Sequence, residues 1–162
     1  MLHKNLLIIA IVSICCFFVA CDKGDPEIPN EEEVITTIIY TLTPSSGGAA
    51  IVLSFSDLDG DGGDEPTITG GTLAANETYT GALTFLNETE SPAEDVTEEI
   101  EEEALDHQVF FQSSTTGVSV AYNDQDADGN PIGLSSTLST SDAAAGNLTI
   151  ILRHEPSKSA DG

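Results

Sequence analysis

The chain has 162 residues, of which 28 are Asp or Glu and four are Lys or Arg, for a formal charge of −24. So negative a surface repels nucleic acid and bare anionic membrane, and it attracts cations and basic protein surfaces. The three cysteines are Cys15, Cys16 and Cys21, so thiolate metal sites, redox chemistry and disulfides are excluded from everything after the N-terminal segment.

That segment reads as a secretory address. Met1-Leu-His-Lys4-Asn precedes an apolar run from Leu6 to Phe18, which ends in Phe18-Val19-Ala20-Cys21. A basic start, an apolar core and a small residue before the cut form a signal peptide. A Cys directly after the small residue is the bacterial lipobox, so residues 1–20 are expected to be removed and Cys21 to be acylated. Several acyl chains give stable bilayer anchoring, at about 0.8 kcal/mol per buried CH₂. The apolar run is short for a membrane-spanning helix. Loss of residues 1–20 takes away Lys4 and no acid, leaving the chain one unit more negative.

Residues 21–33 hold the lipidated Cys and a tether whose prolines, Pro26 and Pro29, and acidic run Glu31–Glu33 forbid a packed element. From residue 34 to 162 the pattern is one domain. Strands are expected over 34–43, 49–56, 66–69, 78–86, 107–114, 117–123, 132–140 and 147–154. Ile51, Leu53 and Phe55 alternate with Val52, Ser54 and Ser56, and Leu148, Ile150 and Leu152 alternate with polar neighbours. About eight short strands with Gly, Asn, Asp and Pro turns predict an all-β, antiparallel, Ig-like or Greek-key sandwich.

The stretch 92–104 reads two ways. Ser91 as N-cap, Pro92 at the first helical position and Glu94 at the third predict a short helix, and Val96, Ile100 and Ala104 recur every four residues. The same residues also alternate as a strand would. Glu101–Glu103 is a solvated face either way.

Two acidic loops follow look-alike strands. Asp57-Leu-Asp59-Gly-Asp61-Gly62 follows Ile51–Ser56, and Asp124-Gln-Asp126-Ala-Asp128-Gly129 follows Val118–Asn123. Pro66 and Pro131 come after the loops, so a hairpin unit is used twice, consistent with two packed sheets. The D-x-D-x-D-G spacing points several carboxylates inward around a tight turn, as Ca²⁺ requires. The bidentate Glu that closes an EF-hand loop is replaced by Ile68 and Ser135, so an EF-hand is excluded. The expected ligands are Asp57, Asp59, Asp61, Asp64 and Glu65 at the first site, and Asp124, Asp126, Asp128 and Asn130 at the second. Asp-Gly pairs also favour hairpin turns without any ion.

His107 and His154 lie at strand ends and, with carboxylates, are the residues for a transition-metal site; surface positions are the plainer reading. No nucleophile–base arrangement stands out. Gly117-Val-Ser119-Val-Ala lacks the closing Gly of a nucleophile elbow, and the chain reads as a non-enzyme.

The lipobox, Asp57-Leu-Asp-Gly-Asp-Gly, Phe85-Leu-Asn-Glu-Thr-Glu-Ser-Pro-Ala-Glu-Asp, Asp106-His-Gln-Val-Phe-Phe and Leu152-Arg-His-Glu-Pro together resemble a family of small acidic lipoproteins from Bacteroidetes. That family is often labelled "type 1 periplasmic binding fold superfamily protein". The label implies two α/β lobes, whereas the residues here alternate as strands. The resemblance carries no assigned activity. It implies an outer-membrane location, on the periplasmic or cell-surface face, beside a transporter or another protein with a basic surface. The expectation is thus an outer-membrane lipoprotein, anchored in the bilayer through acylated Cys21, whose acidic sandwich binds divalent cations, Ca²⁺ favoured. The alternative is a structural or adhesive surface module whose acidity serves solubility alone.

Overall fold

Alternating sequences settle as strands once one face finds something to pack on. The computed structural model describes residues 33–60 and 62–158. In chain order these hold β1 (Thr37–Pro44), β2 (Ile51–Ser56), β3 (Thr67–Thr69), β4 (Thr78–Asn87), β5 (Glu94–Asp95), α1 (Thr97–Glu102), β6 (His107–Ser113), β7 (Val118–Tyr122), β8 (Ser135–Thr140) and β9 (Leu148–His154). All strand pairs are antiparallel, so the domain is the expected all-β sandwich with one short helix.

The layers are unequal. Six strands run β3-β2-β1-β4-β8-β7, the small β5 also pairs with β4, and β6 with β9 forms a second, two-stranded sheet. On β4 the buried residues are Tyr79, Gly81, Leu83, Phe85 and Asn87, every second one. Tyr40 lies opposite both Leu53 and Leu83, and Leu42 opposite Ile51 and Gly81. This face, with Leu138 of β8, forms the core. The small sheet covers it by packing Val109, Phe111, Ile150 and Leu152 against it. Each fully buried Leu or Phe contributes about 1.5–3 kcal/mol relative to exposure.

The duplicated hairpin is real as an element and different in placement. β2–β3 and β7–β8 sit at opposite ends of the same sheet, with β3 and β7 outermost, rather than in two sheets. The stretch 92–104 is both of its readings in turn. Glu94 and Asp95 pair with Asn87 and Leu86, so the chain stays extended through residue 95 and Ser91 caps nothing. The helix starts later, at Thr97, with Val96 at its N-cap position. The β4 edge wins this competition through two bonds. Phe85 N–H donates to Thr97 Oγ1 at 2.8 Å, and Val96 N–H donates to the Phe85 carbonyl at 3.0 Å. Ile100 then points straight into the core.

Candidate metal centre

The best-built polar cluster joins three elements at one end of the sandwich. Glu33 precedes β1, Glu103 ends α1, and His107 opens β6. Strand periodicity puts His107 on the same face of β6 as Val109 and Phe111, so it is carried between the layers. It is completely buried. α1 closes with Glu103 N–H donating to Glu99 O at 2.9 Å, which brings the Glu103 side chain to the same place. One oxygen from each carboxylate and one nitrogen from the imidazole lie within 4.8 Å of one another. This is the one such group of three among the described residues, and it is a set that can hold a metal ion.

Its hydrogen bonding is incomplete in an informative way. His107 Nδ1 lies 3.1 Å from the Glu103 carbonyl. A carbonyl only accepts, so the Nδ1 proton belongs there, and a neutral ring carries its lone pair on Nε2. Nε2 faces Glu33 Oε1 at 2.9 Å, ion-pair distance if the ring is protonated; neither atom makes a hydrogen bond, and Glu103 Oε2 is also buried without one. The Glu33 side chain is 7 % exposed. Two carboxylate oxygens and an imidazole nitrogen thus converge in a dry place, where a proton on Nε2 would join His107 to Glu33 alone and a cation would join all three.

The surroundings add negative charge. The Glu99 carboxyl is held above its usual range by desolvation first, then by Glu33, Glu103 and Glu94, with His107 acting the other way. His154 lies opposite His107 in the β6–β9 ladder, and the rings stack with centroids 4.9 Å apart. The two histidines therefore meet, as ring on ring, while the His107 nitrogens turn to Glu103 and Glu33.

The acidic loops use their carboxylates differently. Asp124 accepts from Gly133 N–H at 2.8 Å and Ser135 N–H at 2.7 Å. Asp126 accepts from Asp128 and Asn130 N–H, both at 2.9 Å. It also takes Lys158 Nζ at 2.7 Å in a buried ion pair, and the same ammonium donates to the Ala104 carbonyl. Lys158 holds the Asp126 carboxyl down to about 2, against desolvation, with the Asn130 and Asp128 amides helping. Asp128 and Asn130 are on the rim of that turn. In the first loop Asp57 accepts from Gly60 N–H at 2.9 Å and Asp59 from Asp64 N–H at 2.7 Å. Glu65 is exposed and Asp61 lies outside the described residues, as does Cys21. No helix among the described residues is long and apolar enough to cross a membrane.

Glu33 and Glu103 are absent from the site expected from sequence. Each is the last of a Glu triplet, Glu31–Glu33 and Glu101–Glu103, and directly precedes an apolar residue, Val34 or Ala104. Val34 is itself exposed and Ala104 only half-buried, so no local pattern marks which Glu of each triplet turns inward. No family model, curated protein or solved structure matches the chain.

Proposed function

We propose that this chain is a lipid-anchored, acidic β-sandwich that binds one divalent metal ion through Glu33, Glu103 and His107. The observation that carries the reading is the meeting of His107 Nε2 with Glu33 Oε1 at 2.9 Å, both buried and neither hydrogen-bonded. One imidazole with two carboxylates favours a transition ion such as Zn²⁺ or Mn²⁺ over Ca²⁺, which prefers an all-oxygen shell. Calcium remains a proposal for the first acidic loop, where Asp57, Asp59, Asp64 and Glu65 are solvent-facing or partly so. In the second loop the backbone and Lys158 already occupy Asp124 and Asp126.

Isothermal titration of the purified protein with Zn²⁺, Mn²⁺ and Ca²⁺ tests this. Saturable 1:1 binding of Zn²⁺ or Mn²⁺ that is abolished in His107→Gln is expected. Absence of heat and of any Tm shift at millimolar Zn²⁺ and Mn²⁺ would sink it. The anchor rests on Phe18-Val19-Ala20-Cys21 and on the likeness to Bacteroidetes lipoproteins. Metabolic labelling with palmitate should mark the chain and should fail for Cys21→Ala.

A further inference from the structure

Four of the six large apolar side chains that stand exposed among the described residues, Val52, Phe55, Leu58 and Ile68, lie on β2, β3 or the loop joining them. Three residue pairings place two of these, Phe55 and Ile68, in one row. Ile68 is directly opposite Phe55, Phe55 opposite Ile38, and Ile38 opposite Phe85. Directly opposed residues of antiparallel strands share a face. One apolar row therefore crosses four strands. It begins in the sealed core at Phe85 and ends in solvent, with Phe55 37 % and Ile68 72 % exposed.

The row ends on an open edge. β3 is the last strand of its sheet and all three of its residues are exposed. An edge strand offers backbone N–H and C=O groups to a further strand, and proteins normally blunt such edges with Lys, Pro or a covering element. Here Pro66 directly precedes the three-residue strand and leaves Thr67–Thr69 free to pair; the neighbouring charges are acidic, Asp57, Asp59, Asp64 and Glu65, with no Lys or Arg anywhere between Gly24 and Leu152. A second copy of this chain, also at −24, is repelled from such an edge.

We propose that the β3 edge docks an extended, basic segment of another protein by strand addition. An apolar side chain of that segment lies opposite Ile68 and continues the row. Its Lys or Arg residues pass Asp64 and Glu65, which stand two or three residues before Thr67. Main-chain bonds supply the contact, and the alternation of apolar and basic side chains supplies the selection.

The probe is a capped peptide alternating Val and Lys, compared with one alternating Ser and Lys at equal charge. Titration into the isotopically labelled full chain should show saturable binding of the Val–Lys peptide, with amide shifts concentrated at 52–69. The Ser–Lys peptide should bind about ten-fold more weakly, the loss of one buried Val-sized contact. Ile68→Asp should abolish the difference between the peptides, and added salt should weaken both. Equal affinity for the two peptides in the unmodified protein would reduce the effect to bulk charge and overturn the proposal. So would shifts spread over the whole acidic surface, an absence of saturable binding, or peptide-free self-association that buries Ile68. The two-peptide comparison needs no variant, so it stands even if Ile68→Asp misfolds.

Discussion

The Tyr40 hydroxyl meets the Ser136 hydroxyl at 2.7 Å, across the backbone of Gly81. The three residues sit on neighbouring strands β1, β4 and β8, and a Cβ at Gly81 would lie 2.5 Å from the phenol oxygen and 2.6 Å from Ser136 Oγ. Burial pushes the Tyr40 phenol above its usual pKa, and the bond to Ser136 opposes that shift. Gly81 thus makes the notch that lets a buried phenol find a partner.

Gly81→Ala should destabilise the domain by about 1–3 kcal/mol, the range for overpacking a filled core. Ser136→Ala leaves the Tyr40 hydroxyl buried without its partner and should also cost about 1–3 kcal/mol. Tyr40→Phe combined with Ser136→Ala removes both polar ends and should recover part of that loss. Urea unfolding of the unmodified protein, Tyr40→Phe, Ser136→Ala and the double variant checks the cycle. A fully additive double variant would show that the bond contributes nothing.

Glu33→Gln separates a metal site from a plain ion pair. In metal-free protein the Gln amide can donate to His107 Nε2, so stability should stay level or rise by about 1 kcal/mol. With metal the order reverses. Ion at about a hundred times Kd stabilises the unmodified protein by about 2.7 kcal/mol, and Glu33→Gln should lose most of that gain. Thermal melts with chelator and with Zn²⁺ read both signs. A large loss of metal-free stability in Glu33→Gln would instead identify His107 as an imidazolium paired with Glu33.

Much of this fold is legible in period-two runs, because the inward faces of β1, β2 and β9 are spelled by Ile, Leu, Phe or Tyr, and that of β4 by Tyr79, Leu83 and Phe85 with Gly81 and Asn87 between and after them. The site is less so. His107 and His154 stand at strand ends in the sequence, but their stacking depends on the β6–β9 register, which no local pattern encodes. Glu33 and Glu103 belong to triplets of identical residues, and only tertiary packing selects which member turns inward. Ser91 and Glu94 satisfy local capping rules, but the end of β4 claims Glu94 and Asp95 first, so the helix starts only at Thr97. The two hairpins share a spelling and still differ. Lys158, far along the chain, reaches Asp126 and makes the second loop an internal brace.

The loops should therefore respond differently to loss of acid. Asp124→Ala strips acceptors from the Gly133 and Ser135 amides and should cost about 3–6 kcal/mol, since two charge-assisted bonds are lost at roughly 1.5–3 kcal/mol each. Asp57→Ala with Asp59→Ala releases only the Gly60 and Asp64 amides, both on exposed residues where water replaces the carboxylates, and relieves a surface of one sign, so stability should be unchanged or slightly raised. Denaturant midpoints decide. Equal losses in both loops would remove the distinction.

Ile100→Ala should be among the costliest single changes, at about 2–5 kcal/mol. Ile100 has no exposed surface and is the one residue of α1 that is buried in the core, three positions before Glu103. The same variant should weaken metal binding, because a loosened α1 no longer holds Glu103 against His107. Calorimetric melts and a Zn²⁺ titration on the variant give the two readouts, and unaltered Zn²⁺ affinity would detach the helix from the site.

Acid should unfold the domain partly through the second loop. Asp126 is depressed from 3.8 to about 2 in the folded protein. A carboxyl depressed by folding binds fewer protons folded than unfolded, so its contribution is whole above the unfolded value and is lost as pH falls toward the folded one. The window is therefore about pH 4 to pH 2, and stability falls with acid across it. Lys158→Met removes the largest cause of the depression and should flatten that part of the pH–stability curve, while lowering stability at neutral pH. Melting temperatures from pH 7 to pH 2, for both proteins, test the sign. An unchanged slope in Lys158→Met would mean that the Asn130 and Asp128 amides, rather than the ammonium, hold the carboxylate.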